Sequence, residues 1–220
     1  MWDPQGRWLL WGWIREAYDW HEQTKVDWAG VMSLPRVLQI GKDGGLEQTP
    51  APELTALRRE AFQPTGSLQA GASLTLAQGL AYEIQLSMPM GIGFTLSLRA
   101  TPDRAESTRL IYHPQTGELL LDRSSSSLDP EVHKNPHSLL LKPGTAPEVR
   151  VLLDGSVLEV FAQGQALASR IYPTRPDSAE IILSAHKTID LAGVKVWALG
   201  LPPLSSPLSQ RNWTGDKPQT

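Results

Sequence analysis

The sequence predicts an all-β protein, most of it an antiparallel β-sandwich, and three observations carry that reading. Short apolar runs of strand length recur through the last two thirds of the chain, punctuated by Gly, Pro and Asn or Asp. Several alternate with period two: Tyr82, Ile84, Leu86 and Met88 share one face, and Glu83, Gln85 and Ser87 the other. That is the pattern of a pleated strand with one face on a core. Compact turn signals join neighbouring runs, with Asp154-Gly155 marking a type I′ hairpin and Gln163-Gly164 opening a second turn.

Taken in order, Trp2-Asp3-Pro4-Gln5-Gly6 reads as a turn, initiated by Asp-Pro and closed by Gly. Residues 7–14 (Arg-Trp-Leu-Leu-Trp-Gly-Trp-Ile) form an apolar run without alternation, which predicts a strand buried on both faces. Residues 15–27 break into charged and aromatic side chains, a surface loop. Residues 30–34 are a second strand, continued over 37–40 past Pro35, which cannot donate to a central ladder and so marks an edge or bulge. Lys42-Asp43-Gly44-Gly45 is a hairpin turn, residues 46–48 are the return strand, and Pro50-Ala51-Pro52 stops it. Residues 53–59 have a short helical flavour. Strands are then predicted over 73–76, 82–88, 94–99, 109–112, 118–122, 138–141, 149–153, 157–162, 166–172, 181–185 and 194–199, with 124–127 a polar loop. The tail beyond Leu201 is polar and turn-rich, the composition of a disordered segment. The division is residues 1–50, a connector over 51–62, the sandwich over 63–200 and the tail over 201–220.

Composition closes several functions. The formal net charge is −3 and no basic block exists, so nothing points to nucleic acid or to a polybasic membrane contact. No apolar run approaches the ~18–20 residues of a membrane span. Cysteine is absent, which removes disulfides, thiolate nucleophiles and Cys-based zinc sites. Met1 is followed at once by Trp2-Asp3-Pro4, with neither a charged n-region nor an apolar h-region. The expectation is that either the protein is not exported or its true start lies upstream, and the compartment stays open between cytoplasm and exterior.

Several runs together resemble the C-terminal third of glycoside hydrolase family 32, the β-fructosidases (invertases, levanases and inulinases). They are residues 6–14; Trp28-Ala29-Gly30-Val31-Met32-Ser33-Leu34-Pro35-Arg36; Asp154-Gly155-Ser156-Val157-Leu158-Glu159-Val160-Phe161; Ser169-Arg170-Ile171-Tyr172-Pro173; and, more weakly, Asp122-Arg123-Ser124. They occur in the family's order. The resemblance implies a five-bladed β-propeller followed by a β-sandwich, of which residues 1–50 are strands of the last blade. It implies hydrolysis of terminal β-fructosyl bonds of sucrose or fructans by a retaining mechanism, with two carboxyl groups about 5–5.5 Å apart. It also implies that the sandwich packs on the propeller, and that a homodimer through the sandwich is an available assembly.

The family's catalytic motifs do not occur: there is no Asn-Asp-Pro, no Arg-Asp-Pro and no Glu-Cys. Trp2-Asp3-Pro4-Gln5-Gly6 imitates the nucleophile motif but lacks its asparagine, and Arg175-Pro176-Asp177 has the stabiliser's residues in another order. The expectation is therefore a C-terminal fragment, catalytically incompetent by itself, with no catalytic residue, cofactor or metal ligand of its own. By resemblance, Trp13 lines the fructose pocket; the plainer role for it is packing between blades. Trp20 and Trp28 are weaker candidates for the pocket rim. Glu16, Asp19 and Glu22 read as a solvated face, and Pro136 spoils the helix that a His133/His137 metal pair would need. The alternative function is a freestanding β-sandwich module that binds carbohydrate or another partner, which rests on fold analogy alone.

Overall fold

A computed structural model describes residues 1–18, 29–142 and 144–201. Asp19, Trp20, Glu22 and Trp28, and the tail after Leu201, lie outside the described residues. The strands in chain order are β1 (Trp8–Leu10), β2 (Trp13–Ile14), β3 (Val31–Met32), β4 (Arg36–Ile40), β5 (Leu46–Pro50), β6 (Arg58–Phe62), β7 (Ser67–Leu68), β8 (Ser73–Gln78), β9 (Ala81–Ser87) and β10 (Phe94–Ala100). They continue with β11 (Ser107–His113), β12 (Glu118–Ser125), β13 (His137–Leu140), β14 (Glu148–Asp154), β15 (Val157–Ala162), β16 (Gln165–Arg170), β17 (Glu180–Ala185), β18 (Ile189–Asp190) and β19 (Val194–Leu199). Two six-stranded sheets form the sandwich. The first runs β13-β12-β11-β10-β17-β8 and the second β16-β15-β14-β9-β19-β6.

Period-two alternation builds the core between them. Phe94, Leu96 and Leu98 from the first sheet meet Ile84, Leu86, Val151, Leu153, Leu158 and Val160 from the second, all essentially inaccessible to water. At roughly 1.5–3 kcal/mol for each large apolar side chain buried, this layer dominates the folding energy. Phe94 and Tyr112 stack across neighbouring strands with centroids 5.8 Å apart.

The second sheet is covered on its outer face as well. Leu152 and Phe161 point away from the core and pack with Leu54, with Leu34, Leu57, Ala166 and Leu199 around them. Glu83, which alternation places opposite the core face, is also fully buried, and there it pairs with Arg58 at 2.5 Å and Arg150 at 2.6 Å. What covers this face is the N-terminal portion. It consists of a three-stranded sheet, β1-β4-β5, a two-stranded ribbon, β2-β3, and a 3-10 turn over Pro52–Leu57.

Local readings change in four places. Residues 7–14 form two strands instead of one: Gly12 breaks the run, its carbonyl accepting from Ser33 N–H (2.7 Å) and its N–H donating to Ser33 Oγ (2.8 Å). Nor is the run buried throughout: Ile14 is buried, but Trp8 and Trp13 are 56% and 59% exposed. The return strand stops at Pro50 as read but runs two residues beyond 46–48, so that Pro50 pairs opposite Arg36. The hairpin after β14 turns on Gly155-Ser156, since Asp154 still pairs with Val157; only Gly155 has positive φ (56°), which suits a type II′ turn. Gln163 and Gly164 both have positive φ (48° and 73°), as a type I′ turn requires. Finally, Ser124 and Ser125 extend β12, and Ser126 and Ser127 are buried.

Candidate functional site

The predicted site residue, Trp13, stands on β2 opposite Met32 of β3. Its indole Nε1–H donates to the Ala29 carbonyl at 3.3 Å, and its ring lies directly over Gly30. Gly30 has φ +75°, and a Cβ there would fall inside the indole, so glycine is required for both the backbone and the ring. One indole face thus rests on backbone while most of the ring meets solvent. Trp2 and Trp8 pack edge to face nearby in sequence, with centroids 5.1 Å apart, and are exposed together with Leu10, Trp11, Met32, Ile40 and Leu46. The N-terminal strands therefore present an apolar ridge far beyond what scattered surface hydrophobics explain.

Beneath Trp13 lies a buried ion pair that sequence reading missed. Glu16 reads as a solvated charge, but its side chain is only 7% exposed and Arg170, its partner at the end of β16, 3%. Glu16 Oε1 accepts from Arg170 (2.7 Å) and from Gly30 N–H (2.8 Å). Arg170 also donates to Ser156 Oγ at 2.8 Å and stands 5.0 Å from the Tyr172 ring, which packs on Tyr18. Burial pushes the Arg170 pKa down, and the Glu16 carboxylate opposes that shift.

A second buried pair anchors the adjoining strand. Glu159, fully buried on β15, accepts from Arg36 (2.8 Å) and from Leu34 N–H (2.6 Å). Arg36 also donates to Gln48 at 3.1 Å, and its guanidinium stands 5.4 Å from the Phe161 ring.

Between ribbon and sandwich opens a cleft of about 790 Å³, whose lining includes Trp13, Glu16, Arg123, His133, His137 and Arg170. Arg123 is buried there, and burial lowers its pKa; it donates to the His133 carbonyl at 2.6 Å and the Asn135 carbonyl at 3.3 Å. Burial, and then the Arg123 charge, also lower the His137 pKa. Its Nε2 lies 3.3 Å from the Arg123 guanidinium and serves as acceptor in the neutral ring protonated on Nδ1. Among the described residues no cluster of three or more His, Cys, Asp or Glu side chains is placed to hold a metal.

The motif look-alike at Asp3 closes a turn. Its carboxylate accepts from Arg7 N–H (2.8 Å) and Arg7 Nε (2.7 Å), and Gly6 N–H bonds back to the Asp3 carbonyl. Burial opposes its ionisation, but the bonds from Arg7 win and hold its pKa below the usual value. Arg7 reaches on to Glu53, whose pKa its hydrogen bond also lowers. Arg175 and Asp177 form a surface ion pair at 2.6 Å.

Comparison with known proteins adds the context. The model of the domain "Glycosyl hydrolases family 32 C terminal" matches residues 53–198. An acid beta-fructofuranosidase of Vicia faba is 27% identical over 87% of this chain, and a sucrose-6-phosphate hydrolase of Vibrio alginolyticus is 31% identical over 77%. The matches span 37% and 33% of those proteins, so the chain corresponds to about a third of their length. In structure, fructan 1-exohydrolase IIa of Cichorium intybus superposes with a TM-score of 0.74 at 19% identity, over 89% of this chain and 46% of that one. The all-β sandwich and the strands before it thus have a known counterpart, and the chain belongs to glycoside hydrolase family 32, whose C-terminal domain it carries.

Proposed function

We propose that this chain supplies the last-blade strands, residues 1–50, and the C-terminal sandwich, with Arg58–Phe62 of the expected connector as its edge strand, of a retaining β-fructofuranosidase acting on terminal β-fructosyl bonds of sucrose or fructans. In this reading Trp13 forms part of the fructose-pocket wall, and the two catalytic carboxyl groups come from propeller strands outside these 220 residues. The observation that carries it is the exposed Trp13 indole, fixed from below on Gly30 and rising from an apolar ridge. An indole face suits the C–H surface of a furanose. The ridge of Trp2, Trp8, Trp11 and Leu10 suits cover by neighbouring propeller strands, and argues against a freestanding binding module that would leave it wet.

Among the described residues, four carboxylates near the ridge are already committed. Asp3 and Glu53 are held by Arg7, Glu16 by Arg170 and Glu159 by Arg36. Each is tied into an ion pair, and none of these four stands free as the nucleophile that the retaining mechanism needs.

The test is a chimera that places this chain behind the propeller blades of a characterised family 32 enzyme. The expected result is sucrose hydrolysis, with Trp13→Ala lowering kcat/KM by about tenfold, the equivalent of about 1.4 kcal/mol. A folded, active chimera indifferent to Trp13→Ala would remove Trp13 from the pocket wall.

A further inference from the structure

We infer that Glu16 and Arg170 are positioning residues for Trp13: through one buried carboxylate, the sandwich sets how the indole is presented. The functional meaning rests on the proposed role of Trp13, but the geometry is independent of it. Trp13 has two supports, the Ala29 carbonyl that accepts from Nε1 and the Gly30 backbone beneath its ring. Neither lies within a regular ladder, because β3 begins at Val31. The Gly30 N–H is instead tied to Glu16 Oε1, and the same oxygen accepts from Arg170.

Arg170 is in turn fixed by the sandwich. It closes β16, its own backbone pairs with Val157, and it bonds the Ser156 hydroxyl in the β14–β15 turn. The chain of support therefore runs from sheet to guanidinium, to carboxylate, to Gly30, to indole. Both charges are more than nine-tenths buried, so loss of the guanidinium takes its charged partner from Glu16 in a poorly solvated place. The relief open to Glu16 is to turn toward water, which releases Gly30. Charge-assisted bonds of this kind are directional, unlike the apolar contacts of the core, and so can specify an angle as well as a contact.

The test uses the full chain labelled with 5-fluorotryptophan. Trp13→Phe assigns the Trp13 resonance, and Trp197→Phe assigns that of Trp197, which lies 3.9 Å from the Arg58 guanidinium on β19 and reports the sandwich. Glu16→Gln keeps an acceptor for Gly30 while removing the charge, and Arg170→Met removes the guanidinium at similar length. Each is expected to shift and broaden the Trp13 resonance while leaving Trp197 in place. The double variant should go no further than the larger single effect, because both act through one contact. Arg170→Lys is expected to recover part of the shift. An unmoved Trp13 resonance in both single variants would overturn the inference, as would Trp13 and Trp197 moving together, which marks general loosening. No sugar enters this experiment, so it fails separately from the chimera assay.

Discussion

Phe94 and Trp13 are both large aromatic side chains on β-strands, yet Phe94 is sealed between two sheets and Trp13 is mostly in water. The difference extends to their surroundings. Around Phe94, alternate residues of several strands converge on one apolar layer, and no direction matters beyond close packing. Around Trp13 the strands are two or three residues long, their outer faces are bare, and directional charged bonds reach across to the sandwich. The sandwich is held by close packing; the N-terminal strands are held in a set direction. Apolar burial gives the first, and buried ion pairs, which contribute little net stability for their desolvation cost, give the second.

That contrast breaks most sharply in the core. Phe94→Ala removes a fully buried ring and is expected to destabilise the sandwich by about 3–5 kcal/mol in denaturant unfolding. Glu159→Ala comes next. It strands Arg36 and the Leu34 N–H and is expected to cost about 3 kcal/mol in the docking of β3 and β4. Limited proteolysis should then cut residues 29–50 faster while the sandwich resists. If both regions open together, the two are one cooperative unit and the contrast is wrong.

Acid separates a third contribution. Glu106 is fully buried, which opposes its ionisation, yet it accepts from Thr174 N–H (2.7 Å), Leu128 N–H (2.8 Å) and Arg175 N–H (3.0 Å), and these hold its pKa below the usual carboxylate value. A group whose pKa is depressed by folding stabilises above its unfolded value, about 4.3, and that contribution fades as pH falls through the lower folded value. Glu106→Gln should therefore be less stable than the parent at neutral pH, and the gap should narrow on acidification. A gap constant with pH would mean that packing, and not charge, is what Glu106 provides. The smallest expected effect is that of Trp13→Ala on stability, within about 0.5 kcal/mol, because the ring is exposed. A larger loss would make Trp13 a packing residue.

The two regions also differ in how far the sequence reveals them. In β9 and the residue after it, the alternation of Tyr82, Ile84, Leu86 and Met88 with Glu83, Gln85 and Ser87 follows directly from the pleat, and the core face emerges as read. The same pattern cannot say whether the opposite face meets water. Glu83 is read as facing away from the core and is buried all the same, and Glu159 is buried by cover from residues far off in sequence: Arg36 lies 123 positions away. Glu16 sits in a run of charged residues that looks solvated, and its partner Arg170 is 154 positions away. Trp13 is singled out by family likeness alone, since nothing in its local spacing distinguishes it from Trp8 or Trp11. The one signal that could have exposed a buried pair is that Glu159 interrupts a strand otherwise made of Val, Leu, Phe and Ala.

In the proposed reading, this chain shapes and supports a fructosidase pocket without carrying its chemistry. The purified chain, incubated alone with sucrose, inulin or levan, tests it most directly. No fructose release above the uncatalysed background is expected. Turnover of about 1 s⁻¹ or faster, within the ordinary enzymatic range, would contradict it.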